Sequence, residues 1–440
     1  MFSELGITAL RETDGKGTVS KVGYFFESPA SFRKLEIEPI NTALLSHEKC
    51  SPPLRLLRLI VMVAFMVSIE QVSPEAFPPQ DNLFQTAFWG TFKKFTGQEA
   101  RFFLATFTDD AFSSAYTFPF MVLFRPRHDG SSYAYAPKAP SLALPAEQRG
   151  TLLEELALAL RPHVPENCIC VRYDLAWRSQ YGGEEIVRPE TAQLALNWGT
   201  KTHKLRKAAG NHLAPDTVII NLSLTPEQIL SRMRATTRNY IRRSYRSEID
   251  FAVGGIDMLH DWYALYKETA KRKGFYYESE EYFNVLFSHK RIQENTFHEP
   301  PPRKKIETIK KEIIPLTAPA PLPQFHIMTA SKSGKLLSGI IIALSGRNAY
   351  YMYAGSATEQ RELMPNYGLQ WEAIRFARSK GCTRYDLMGI PPNGDASNPM
   401  AGLYLFKTGF GGEKVRFAGA WDYPYDEDRY AYFRLEEQMH

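Results

Sequence analysis

Between residues 325 and 388 the chain alternates in a way that only a layered fold can accommodate. Segments 325–331 and 336–344 read as strands around a turn at Gly334, and 348–354 reads as a third. A helical run over about 368–380 and a strand at 384–388 follow. Antiparallel strands succeeded by a helix and one more strand require a sheet with helices laid on it. The expected class is therefore α/β, or α+β, in layers. The upstream half has the same mixture. Strands are expected at 59–69, 100–107, 117–124, 168–173 and 217–222, with helices at 84–94 and 148–161. The apolar run 59–69 is far shorter than the ~20 residues a membrane-spanning helix needs, so it reads as a core strand.

The best-marked helix start in the chain is Thr225-Pro226-Glu227-Gln228, with an N-cap, a proline at N1 and a glutamine at N3. That helix is expected to run to about Arg246, so Arg234, Arg238, Arg242 and Arg246 would share one face. Such a stripe is either a solvated face or a contact for phosphates. Helices are expected at 257–272 and 279–288, separated by a turn at Gly274. Residues 298–323 then turn proline-rich and basic, the mark of a surface insertion.

Composition excludes a few classes. The formal charge of +5 is compatible with an anionic partner without requiring one. Cys168 and Cys170 alternate on a strand, Cys50 and Cys382 stand alone, and there is no CxxC pair. That argues against a zinc ribbon or a thioredoxin-type site and fits a reducing cytoplasm. His260, His289, His298 and His326 are scattered, so no metal is expected.

Two patches carry chemistry. The first is Tyr350-Tyr351-Met352-Tyr353-Ala354-Gly355-Ser356, followed by Met364-Pro365-Asn366-Tyr367-Gly368 at a helix start. A coenzyme A-dependent acyltransferase would place a glycine-rich loop there, with backbone N–H groups free for a pyrophosphate. Here Tyr367 and Leu369 obstruct that approach. The second patch joins Gly389-Ile390-Pro391 to Phe406-Lys407, flanked by glycines and aromatics. Alternation points Lys407 to one side of a short strand. It is either a solvated lysine or a group that stabilises negative charge on an acyl carbonyl.

With Gln85/Trp89/Lys93, the 135–140 loop, Asp174 after its strand and the basic helix, these patches make six collinear landmarks. In order and spacing the chain resembles the Fem family of aminoacyl-tRNA-dependent peptidoglycan-bridge transferases over about 62–440. The resemblance implies two tandem acetyltransferase-like (GNAT) subdomains. The first covers 62–217 plus 418–440 and the second 218–417, after an N-terminal extension 1–61. It also implies transfer of an amino acid from aminoacyl-tRNA to the stem peptide of UDP-MurNAc-pentapeptide or lipid II. No cofactor is expected, and the protein would be a cytoplasmic monomer, working at the inner face of the plasma membrane if the acceptor is lipid-linked.

Residue by residue, Lys93 matches the lysine at the acceptor diphosphate, and Tyr282 and Tyr353 match tyrosines of the same cleft. Asp174 matches a carboxylate near the acceptor peptide, either base or loop cap. Lys407 with Phe406 matches the pair facing the tRNA terminus. Arg238 and Arg242 would contact tRNA. Glu278 stands where the family often has an arginine, Ala139 where glycine is common, and the proline-rich insertion where some members carry a coiled-coil arm. The alternatives from other classes are a CoA-dependent N-acyltransferase and a non-catalytic nucleic-acid-binding protein.

Overall fold

The structure, a computed structural model, describes residues 7–13, 19–26, 34–36, 65–109, 114–179, 188–288, 322–395 and 397–439. Residues 298–321 of the proline-rich stretch lie outside them. The chain forms two compact units, 1–60 and 61–440. In the first, β1 (Ile7–Thr13), β2 (Val19–Phe26) and β3 (Lys34–Glu36) make an antiparallel sheet with β2 central.

The second unit opens with β4 (Phe65–Val72), so the described strand starts inside the expected apolar run and extends past it. It continues with α1 (Ala87–Phe95), β5 (Glu99–Asp109), β6 (Ser114–Pro126), β7 (Ser132–Pro137), α2 (Ala146–Leu160), β8 (Cys168–Arg178), α3 (Pro189–Leu196), β9 (Arg206–Lys207) and β10 (Asp216–Asn221). There follow α4 (Pro226–Arg232), α5 (Ala235–Arg246), β11 (Asp250–Gly254), α6 (Leu259–Lys273) and α7 (Glu280–Phe287). The chain then forms β12 (Gln324–Lys332), β13 (Lys335–Ser345), β14 (Asn348–Ser356), α8 (Pro365–Ser379), β15 (Arg384–Gly389), α9 (Ala401–Gly409), β16 (Glu413–Pro424) and α10 (Glu427–Met439).

All of these strands join one 13-stranded sheet, ordered β11-β12-β13-β14-β15-β10-β16-β8-β7-β6-β5-β4, with β9 beside β16. Two pairs in it are parallel, β7 with β8 and β14 with β15, and each is bridged by a helix, α2 and α8. The same motif of an antiparallel pair, a helix and a parallel strand thus occurs twice, giving the two acetyltransferase-like halves. β16 serves both. Its first residues pair with β10 (Asp216↔Arg416 to Ile219↔Glu413), and its later ones pair with β8 (Phe417↔Arg178 to Pro424↔Cys170). The register slips between Phe417 and Gly419, and Gly419 sits at φ +70°, the left-handed value a bulge glycine supplies.

Burial follows the strand period. On β13, Ile340 and Ile342 pack with Leu369 and Ile374 of α8, while Ile341 and Ala343 face the cluster holding Trp262 of α6. Gly339 lets α6 come close, since a Cβ there would sit 2.6 Å from the Trp262 ring. The first half has its own core around Phe103, Phe120, Leu152 and Tyr173. The Trp262 cluster belongs to both halves. Phe88 of α1 lies 5.5 Å from Phe325, Phe92 lies 4.9 Å from Tyr282, and Phe84 lies 5.7 Å from Tyr350.

The expected long basic helix is two helices. Met233 leaves the helical path with φ −70° and ψ 153° to bury its side chain, and Arg234 N donates to Gly409 O at 2.9 Å. Arg234 therefore caps α5 instead of joining the stripe, which keeps Arg238, Arg242 and Arg246. Phe92 is fully buried in the shared cluster. Replacing it with alanine should cost about 3–5 kcal/mol in urea unfolding, and a loss under ~1 kcal/mol would show that the halves hold together by other means.

Candidate active site

α1 starts on Thr86, whose Oγ1 accepts from Trp89 N at 3.1 Å, and its apolar stripe faces the shared core. That fixes the last turn, and with it Lys93. Lys93 Nζ donates to Tyr282 Oη at 3.1 Å, and the Tyr282 and Tyr353 hydroxyls are 3.1 Å apart. The ammonium lies 4.9–5.1 Å from the ring centroids of Tyr282, Trp89 and Phe92, an aromatic cage. Burial pushes its pKa down to about 8, Glu278 works against that shift, and Arg125 adds to it. The structure thus brings Lys93, Tyr282 and Tyr353 into one hydrogen-bonded line. Burial raises both phenols, so they act as neutral donors.

Tyr353 reaches this line because β14 is irregular. Its register slips where Ile341 faces Tyr353 and Ile342 faces Tyr351. Tyr353 therefore packs with the shared cluster, whereas Tyr351 packs on the opposite face with α8. Pairing of β14 with β15 stops after three rungs, at Tyr350↔Asp386. Past that point the strands part, and the Met388 and Gly389 carbonyls accept from Lys407 Nζ, at 3.3 and 2.8 Å.

Lys407 lies on α9, not on the expected short strand. The flanking aromatics and glycines suit a strand, but Phe406 and Phe410 meet one turn apart at 5.1 Å, and both pack on Tyr367. The lysine is buried, with only 6% of its surface exposed, which excludes the solvated reading. Its Nζ is 5.3 Å from the Tyr351 ring, and burial pushes its pKa down to about 8 against the pull of Asp386. Phe406 faces the Tyr367 cluster. The first turn of α8 is filled by that cluster, since Tyr240 also lies 4.9 Å from Tyr367.

Asp174 is buried inside β8, paired with Ala420 and Pro137, and not after its strand as expected, because the strand runs on to Arg178. Its Oδ2 accepts from Tyr135 Oη at 3.1 Å and Leu213 N at 3.0 Å, while Oδ1 has no partner. Burial raises its pKa, with Lys138, the two hydrogen bonds and Lys207 opposing. The Tyr135 that bonds it carries the Arg125 guanidinium over its ring at 4.6 Å, and that guanidinium's charge is felt at Lys93. No described hydrogen bond or ion pair joins Asp174 to Lys407. Sequence reasoning missed Arg125, Lys138 and His212. His212 is wedged between Tyr133 and Tyr135, and burial beside Arg125 and Arg172 holds its pKa down to about 3. The 135–140 loop was the one signal for Lys138. Arg238 Nη1 reaches back to Met233 O, and Arg242 is exposed, touching Asn239 Oδ1 at 2.9 Å. Both stand on the helix whose Thr237 abuts Gly409 of α9. Among the described residues no group of His, Cys, Asp and Glu has the arrangement to hold a metal ion, and no helix is long and apolar enough to cross a membrane.

Because the Lys93 ammonium loses its proton near pH 8, binding of an anionic ligand at this cage should be tightest below that pH and weaken as pH rises through it. Titration calorimetry with a diphosphate-bearing acceptor at pH 6.5 and 9 tests this. Lys93→Arg, charged throughout, should flatten the dependence.

The chain is similar to known proteins. A profile of the FemAB family matches residues 75–291 and 289–438. The lipid II:glycine glycyltransferase of Staphylococcus haemolyticus strain JCSC1435 is 31% identical over 113 residues, 26% of this chain and 26% of that protein. The protein of the same name from Staphylococcus aureus strain USA300 is 32% identical over 106 residues, 24% of each. The chain thus matches about a quarter of the length of these relatives. A crystal structure of FemX superposes with a TM-score of 0.59 at 15% identity, covering 83% of this chain and all of that one, a likeness of fold.

Proposed function

The chain belongs to the FemAB family, and from that premise we propose that it transfers an amino acid from aminoacyl-tRNA to an amine of a peptidoglycan precursor's stem peptide. The observation that carries the reading is a pair of lysines on either side of β14, the half-buried Lys93 with Tyr282 and Tyr353, and the buried Lys407 with the carbonyls past the last β14–β15 rung.

The reaction asks little of the protein, because an aminoacyl ester is already activated. The acceptor nitrogen attacks the ester carbon, a C–N bond forms, the C–O bond to the tRNA ribose breaks, and one amine proton ends on the released hydroxyl. Proximity and oxyanion stabilisation are the main needs. Lys93 holds the acceptor's diphosphate, with Tyr282 and Tyr353 donating beside it. Lys407, its carbonyl partners leaving its charge uncompensated, faces the developing oxyanion, with Phe406 beside the tRNA terminus. Asp174, buried with a raised pKa and one free oxygen, positions the amine or takes its proton. The filled first turn of α8 weighs against coenzyme A, because a pyrophosphate there would displace Tyr367. The name of the relatives supports lipid II as acceptor over the soluble nucleotide-linked form. The protein would then work as a monomer at the inner membrane face, without a cofactor.

Incubation with a mixture of charged tRNAs and both precursors, read by product mass, tests the reading. One added aminoacyl residue is expected, and no increment on either acceptor would sink it. Lys407→Met should lower kcat by about 10²–10³ and leave acceptor affinity unchanged. For the donor, Arg238→Gln with Arg242→Gln should flatten the plot of log affinity for tRNA against log salt by up to about 2, near 0.7–0.9 for each phosphate no longer neutralised. An unchanged slope would return the stripe to plain solvation.

A further inference from the structure

A cavity of about 320 Å³ lies where β8, β10, β14, β15 and β16 meet, and the proposed chemistry does not use it. That volume is at the low end of ligand pockets, ~300–1,000 Å³, so it suits the end of a molecule. Its charged lining is Lys138, Arg178, Arg384 and Asp386, three cations to one carboxylate. Arg178 is paired with Glu413 on the surface, and Arg384 is exposed. Asp386 Oδ1 accepts from Met388 N at 2.8 Å and from Thr217 Oγ1. Lys138 differs from these. It is 9% exposed, its Nζ has no hydrogen-bond partner, and it lies 4.0 Å from the Phe417 ring centroid. Asp174 and Asp386 attract it, but neither hydrogen-bonds it.

A buried ammonium without a partner is costly, and an anion arriving in the cavity would relieve that cost. Ala176, Ala214 and Gly389 in the lining put no long side chain into the cavity, which leaves space beside Lys138. The Gly389 carbonyl is one of the two that accept from Lys407, so the cavity backs onto the proposed reaction centre. We propose that this cavity is a carboxylate subsite in which Lys138 pairs with a carboxylate of a short peptide. Resting on the reading above, that peptide is part of the acceptor, and Lys138 is a positioning residue.

The test is binding of acetyl-dialanine to the full chain, followed by NMR or calorimetry, against its C-terminal amide and against acetyl-glutamic acid α-amide, whose carboxylate is on a side chain. Saturable binding of at least one acid is expected, with the neutral amide weaker by about tenfold or more. Lys138→Gln should abolish that preference and Lys138→Arg should keep it, with thermal unfolding checking that both variants fold. Whichever acid binds tighter names the carboxylate used. Equal binding of acid and amide by the wild type, or a preference unchanged in Lys138→Gln, overturns the subsite whatever the variants' stability. Transfer is assayed in parallel. Peptide binding through Lys138 without transfer to any acceptor would drop the transferase reading alone, and transfer without carboxylate preference would drop the subsite alone.

Discussion

The seating of α1 in a core common to both halves is the constraint on which the rest depends. Its phenylalanines are buried against rings from α7 and β12, across the seam between the halves. A helix pinned that way cannot rotate, so the side chain on its last turn is held where the seam opens. The lowered proton affinity of Lys93 follows from the same packing, because the rings that join the halves also strip water from the ammonium. Stability and ligand chemistry here share one set of contacts.

The second lysine is set by a different device. A parallel strand pair that separates after three rungs leaves Met388 and Gly389 without a β14 neighbour, though Gly389 still pairs with Thr217 of β10. Lys407 reaches their carbonyls from a helix. Carbonyls hydrogen-bond the ammonium without neutralising it, whereas a carboxylate partner would. A cation held this way keeps its field available for a charge that appears only during reaction.

Strongly periodic segments such as β12, β13 and α8 were legible in the sequence, because their patterns arise from each element's own two faces. α9 was not. The aromatics and glycines flanking Lys407 suit a strand, and only packing on Tyr367 shows the helix. The break at Met233 was equally hidden, because a buried side chain and a carbonyl from Gly409, far along the chain, cause it. At the site, Lys93, Tyr282 and Tyr353 were named through the family resemblance alone, and the slip in β14 is what lets Tyr353 meet the other two. The isolation of Asp174, and the places of Arg125, Lys138 and His212, were not legible, since stacking and burial are decided by residues distant in sequence. Glu278 read as a misfit and remains one electrostatically. It opposes the lowering of Lys93, while the cation that the family places there is absent and Arg125 acts from the other side.

β16 lies later in the chain than every strand it binds. During synthesis, β8 and β10 must therefore wait with bare hydrogen-bonding edges until one late segment arrives to close both. Two half-sheets with sticky borders would coexist on the ribosome, each a template for unwanted pairing with other nascent copies. The bulge at Gly419 bends the closing strand, so a flat, straight strand from a stranger would fit that gap poorly. A geometric irregularity that looks like a local accommodation would then act as a guard on assembly.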